Sequence, residues 1–174
     1  MKVTFVGITT EKEYPKGLVD FADFDEVLIK TESPSVYERY ILASKARNDI
    51  VYVQDDDCIV DYKELFKHYN GQITNSMTIN HQSHYEPLDM TMVGWGCFFP
   101  KIMLKNIGKY ASVYGVDAHL LREADRIFTY LNKPFNTQIM EHQDLPQVNR
   151  MSTTDPQHYK YIPEVREKLK RLGI

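Results

Sequence analysis

The chain is poor in features that would place it in several common classes. It has two cysteines, Cys58 and Cys97, in 174 residues. Two thiols cannot build a disulfide framework, which points to a reducing, cytoplasmic setting. No apolar run approaches the ~20 residues of a membrane-spanning helix. The N-terminus passes straight into a strand-like run, without a signal-peptide core. There is neither a glycine-rich dinucleotide fingerprint nor a phosphate-binding Walker loop, which withdraws support from hydride transfer and P-loop phosphoryl transfer. Charge of one sign is not in excess: the net charge is −3, so the chain as a whole does not read as a nucleic-acid binder. No internal repeat or low-complexity segment is evident. What remains, 43% hydrophobic and 26% charged residues, fits one folded globular domain over residues 1–174 with a core of its own.

The most informative stretch is Asp49-Ile50-Val51-Tyr52-Val53-Gln54-Asp55-Asp56-Asp57. The β-branched and aromatic run Ile50–Val53 predicts a buried strand. It ends in three consecutive acids. Like charges at a strand end repel one another and resist desolvation. A divalent cation relieves both, and carboxylate oxygens suit Mg²⁺ or Mn²⁺. In open α/β sheets such strand ends are where ligands bind. A solvated acidic turn is the competing reading.

Strand and helix patterns alternate around it. Lys2 to Ile8 predicts a first strand, followed by Thr9-Thr10 in a loop where hydroxyls can meet a nucleotide or serve as ordinary loop residues. Phe24 to Lys30 predicts a second strand. Residues 35–47 predict a helix, with Tyr37, Ile41 and Leu42 on its apolar face. Arg39 lies in the first turns, where the helix dipole does not favour a cation, which suggests an anionic partner such as a diphosphate. Tyr62 to Tyr69 reads as a short helix and Gln72 to Thr78 as a strand. His81 and His84 sit three apart in a polar loop with no cysteine near, a poor zinc pattern.

Thr91 to Pro100 predicts a strand broken at Gly94-Trp95-Gly96. Glycines inside a strand mark close approach of a ligand or another backbone. Trp95 can stack on a sugar or fill the core at a bulge. A further helix is expected over Lys101–Lys109. The strongest helical periodicity follows Gly115: Val116, Leu120, Leu121, Ala124, Ile127, Phe128 and Leu131 form a stripe. Asp117 opens this helix, as cap or as catalytic carboxylate. Glu123 and Asp125 flank the stripe and are expected at the solvent boundary. Phe135 to Met140 predicts a last strand, and residues from about 163 to 172 a basic amphipathic helix.

The Asn-Asp-Ile-Val-Tyr-Val-Gln-Asp-Asp-Asp segment resembles the metal-binding DxD segment of GT-A glycosyltransferases, with the nearest likeness to exostosin-like transferases and to small bacteriophage-encoded ones. The likeness extends over residues 1 to about 146. Arg39 matches an upstream helix arginine of that pattern. Gly94-Trp95-Gly96-Cys97-Phe98-Phe99 resembles the segment beside the donor sugar, Asp117 the acid near the reacting carbon, and His142 the late histidine of the metal site. One acid stands where the family usually has a pair, so Asp125 is the reserve candidate.

The resemblance implies an α/β, Rossmann-like (GT-A-like) mixed sheet flanked by helices. It implies a metal-dependent hexosyltransferase using a nucleotide-sugar, in particular a UDP-sugar, with Mn²⁺ or Mg²⁺ as cofactor. In that reading Asp55, Asp57 and His142 hold metal. Thr9, Arg39, Asp55, Asp56, Gly94, Trp95 and Gly96 contact the donor, and Asp117 is the catalytic residue. The acceptor is a glycan or hydroxymethylated DNA, as in phage DNA modification. The alternatives from other classes are a metal-dependent nucleotidyltransferase and a non-catalytic nucleotide-sugar-binding module.

Overall fold

A computed structural model of the chain describes residues 2–80, 90–141, 143–145 and 161–173. Six strands form one sheet in the order β2-β1-β3-β6-β5-β7. These are β1 (Thr4–Ile8), β2 (Glu26–Lys30), β3 (Ile50–Asp55), β5 (Ile73–Met77), β6 (Cys97–Pro100) and β7 (Phe135–Ile139). β1 runs parallel to both β2 and β3, β5 runs parallel to β7, and β6 is antiparallel to its neighbours β3 and β5. β6 is thus the one reversed strand of a mixed sheet. A separate two-stranded ribbon pairs β4 (Cys58–Ile59) with β8 (Gln143–Asp144).

The central strands β1, β3 and β6 are largely apolar because both of their faces are covered. Side chains alternate between the faces. Phe5, Tyr52 and Phe98 join one core with Tyr14, Leu18, Val19, Phe24, Tyr62 and Leu65. Their neighbours Val6, Val51, Val53 and Phe99 join the other, beneath helices. The first face is closed by the segment between β1 and β2 and by α2 (Tyr62–Lys67). The second is closed by α1 (Glu38–Ser44), α3 (Leu104–Tyr114), α4 (Ala118–Leu131) and α5 (Ile162–Arg171). α/β architecture with a mixed sheet flanked by helices is therefore present. No helix among the described residues is long and apolar enough to cross a membrane.

Several boundaries depart from the sequence pattern. The helix expected over 35–47 is regular only over Glu38–Ser44. The second strand starts at Glu26, because Phe21–Asp23 forms a 3₁₀ turn capped by Asp20 and places Phe24 in the core. The strand expected over 91–100 is regular only from Cys97. Gly96 has φ +88°, a left-handed conformation that turns the chain at the sheet edge. The helix after Pro100 starts as a 3₁₀ turn and then runs on to Tyr114, where Gly115 at φ 76° ends it. His81, His84 and His142 lie outside the described residues.

Candidate functional site

Because β6 runs against the other strands, its N-terminal end reaches the same sheet edge as the C-terminal ends of β1 and β3. Three segments meet there: Thr9 after β1, Asp55-Asp56-Asp57 after β3, and Gly94-Trp95-Gly96 before β6. The chain leaves β1 towards β2 on one side and leaves β3 towards β5 on the other. A connection reversing between adjacent strands opens a crevice at their carboxyl ends. Thr9 spans that crevice, its hydroxyl donating to Asp56 Oδ2.

The Gly94 approach is close. The backbone N–H of Asp55 donates to the Gly94 carbonyl at 2.6 Å. A Cβ placed on Gly94 would lie 1.9 Å from Asp55 Oδ2 and 2.6 Å from its Cγ. Only a hydrogen fits there, which gives the glycine a specific steric reason. Gly96 is similarly confined: its Cβ would meet Tyr52 Oη at 2.9 Å. The Trp95 carbonyl accepts from the Ser76 hydroxyl, and the Trp95 side chain is half-buried.

Arg39 is 1% exposed. Its Nη2 donates to Asp55 Oδ1 at 2.7 Å, and its Nη1 lies 3.3 Å from Asp125 Oδ2. Tyr40, the next residue, donates its hydroxyl to Asp125 Oδ1 at 2.6 Å. The cation in the first turn of α1 therefore has its anions inside the protein. A guanidinium buried this far meets no diphosphate without rearrangement; in this structure it pairs with Asp55 and Asp125. Asp55 keeps 29% of its side chain in solvent. Burial of the rest pushes its carboxyl up to about 7, Arg39 opposes this, and Asp57, Asp125 and Asp56 add to it. Excess negative charge is thus concentrated at this point.

Asp117 is not brought into this group. It caps α4, accepting from Leu120 N at 2.9 Å, and it pairs with Lys168 of α5 at 2.5 Å. His119 approaches the same carboxylate at 3.3 Å. The Leu120 amide and Lys168 outweigh burial and hold the Asp117 carboxyl below its ordinary value. Asp125 lies eight residues, roughly 12 Å of helix rise, further along α4. It is Asp125 that α4 delivers to Arg39. The expectation that Glu123 and Asp125 lie at the solvent boundary holds for Asp125, a quarter of whose side chain reaches solvent, and fails for Glu123. Glu123 is 2% exposed, with Oε2 2.5 Å from Arg126 Nε. The backbone at Glu123 leaves helical geometry (φ −113°, ψ 22°) and kinks α4 there. A kink rotates the two halves of a stripe relative to each other, so residues flanking it on an ideal helix can be turned inward. Sequence reasoning gave Tyr40 no role. A tyrosine beside the helix arginine was the available signal, but nothing local says that it faces α4.

Among the described residues no group of three or more His, Cys, Asp or Glu is placed to hold a metal ion. The donors present are nevertheless all hard oxygens. Asp55 Oδ1 is engaged by Arg39 and Asp56 Oδ2 by Thr9. This suits an ion held by one or two carboxylates with the remaining positions filled by ligand phosphates and water, as Mg²⁺ commonly is. Asp55 and Asp57 are the residues that would hold it.

Fold and site define a class: an α/β protein with a six-stranded mixed sheet and a cluster of acids at the ends of β1 and β3. No protein-family model matches the chain, and no curated protein matches it.

Proposed function

We propose that this chain is a metal-dependent glycosyltransferase of GT-A type, which moves a hexose from a nucleotide-sugar donor, a UDP-sugar, to an acceptor hydroxyl. The observation that carries the reading is the convergence of Asp55, Arg39 and Asp125 beneath an acidic strand end that glycine closes from the other side. Asp55 and Asp57 would hold a divalent ion, and a bound Mn²⁺ or Mg²⁺ supplies Lewis-acid neutralisation of the charge that develops on the leaving diphosphate. Thr9 and Asp56, 2% and 9% exposed and joined by their hydrogen bond, would form the floor beneath the nucleoside rather than contact it freely. Gly94-Trp95-Gly96 forms the wall beside the sugar.

Asp125 takes the catalytic part first given to Asp117. Its carboxylate accepts from Tyr40 and faces Arg39, and it would take the acceptor's proton. Arg39 acts through the carboxylates that it fixes. The acceptor is a glycan or a hydroxymethylated base in DNA.

The test is incubation of the purified chain with a panel of nucleotide sugars and Mn²⁺, with and without each acceptor class, read by mass spectrometry. Release of UDP with transfer or hydrolysis of the sugar, abolished by EDTA, is the expected result. Full activity in EDTA would overturn the metal requirement. Pyrophosphate release from a nucleoside triphosphate would make the protein a nucleotidyltransferase, and binding without turnover would make it a binding module.

A further inference from the structure

Asp125 is gripped from one side by consecutive residues of α1. Tyr40 touches α4 twice: its ring packs on Phe128 with centroids 4.8 Å apart, and its hydroxyl reaches Asp125 Oδ1 at 2.6 Å. Phe128 and Asp125 are three residues apart, neighbours on one helix face. Phe128 also meets Phe99 of β6 at 4.8 Å, and all three rings belong to one buried core. Phenylalanine would fill the same space. What the hydroxyl adds is the bond to Asp125.

We propose that Tyr40 is a positioning residue for the reaction proposed above, fixing Asp125 so that Oδ1 is occupied and the quarter of its side chain that reaches solvent is left to meet the acceptor. The inference rests on that functional reading for its chemistry but not for its geometry. Burial, and then the Asp125 charge, push the Tyr40 phenol well above its ordinary range, so it is a donor throughout the working pH range. The charged and titratable groups around this carboxylate are Arg39 and Tyr40 from α1, Asp55 from β3, Cys97 from β6, and Glu123 and Arg126 within α4. Among these, Tyr40 and Arg39 are the two that contact it.

The experiment uses Tyr40→Phe in the full chain. Loss of a hydrogen bond to a charged group should lower kcat by about 10- to 100-fold. KM for the donor should be unchanged, and the acid limb of the kcat profile should move to higher pH. In the Asp125→Asn background the same substitution should cost little further. A purely structural role would lower the melting temperature without moving the profile, and that outcome overturns the proposal. Proton NMR supplies a readout independent of turnover. The buried Tyr40 hydroxyl should give a slowly exchanging resonance downfield of the amides, absent in Tyr40→Phe and shifted in Asp125→Asn. If that resonance is found but no nucleotide sugar turns over, the glycosyltransferase reading fails while the Tyr40–Asp125 bond stands. If the resonance is missing, the positioning role fails whatever the activity.

Discussion

Gly94→Ala is the sharpest perturbation available at this site. Gly94 is not in the left-handed region, so an added methyl meets no backbone strain. The effect is steric alone. The new Cβ would lie 1.9 Å from Asp55 Oδ2 and 2.6 Å from Cγ, where ordinary van der Waals contact begins near ~3.5 Å. A shift of more than an ångström is needed. The Gly94 carbonyl is tied to the Asp55 amide at 2.6 Å, so the backbones cannot part without losing that bond. The carboxylate must then swing, and its 2.7 Å contact to Arg39 is what it loses. Overpacking of this kind costs about 1–3 kcal/mol. Unpairing the buried guanidinium adds to it, with ~3–5 kcal/mol as the ceiling for breaking a buried pair. For a chain of this size, a total of about 1–8 kcal/mol is a fall in Tm of roughly 2–30 °C, read by thermal unfolding monitored by circular dichroism. Asp55→Ala removes the obstructing atoms, so in that background Gly94→Ala should cost less than 1 kcal/mol, a coupling that a double-mutant cycle measures directly. A Gly94→Ala protein with unchanged Tm and full activity, or an equal cost in both backgrounds, would refute the reasoning.

Three further outcomes are expected. Arg39→Leu leaves Asp55 and Asp125 without their shared cation and should destabilise by about 3–5 kcal/mol in urea unfolding, whereas a loss under 1 kcal/mol would mean that the guanidinium is not a buried clamp. Asp125→Asn should lower turnover by ~10²–10⁴-fold while Asp117→Asn, since Asn caps as well as Asp, keeps its rate; the reverse pattern returns the catalytic part to Asp117. Glu123, buried beside Arg126, has its carboxyl pushed up to about 7, chiefly by burial. The folded state therefore holds a proton that the unfolded chain has released, and this contribution to stability is lost as pH rises from about 4.5 to about 7. Relative to Glu123→Gln, the wild type should be less stable at pH 8 than at pH 4.5, and a difference independent of pH would rule this out.

Sequence alone determined what depends on local periodicity. The apolar run Ile50–Val53 could only be a covered strand, and the acids after it could only stand at its end. The stripe from Leu120 to Leu131 specified a helix packed on one side, and Asp117 specified its start. Glycines at 94 and 96 announced a close approach. Each of these properties is carried by residues within a few positions of one another.

Tertiary structure decided which partners the charges found. Whether Arg39 meets a ligand or Asp55 and Asp125 depends on how α1 and α4 lie across the second face of the sheet, separations of 16 and 86 positions in the chain that no local pattern encodes. The reversed direction of β6 decided that Gly94 would close on Asp55. The kink at Glu123 decided that one of the two carboxylates flanking the stripe, Glu123, would be buried while Asp125 stayed at the boundary, against Arg39. A buried charge is tolerated only where an opposite charge is delivered to it, and that delivery is a property of helix and strand placement. The choice between Asp117 and Asp125 was therefore open in the sequence, which records an acid at each position and says nothing of what each one faces.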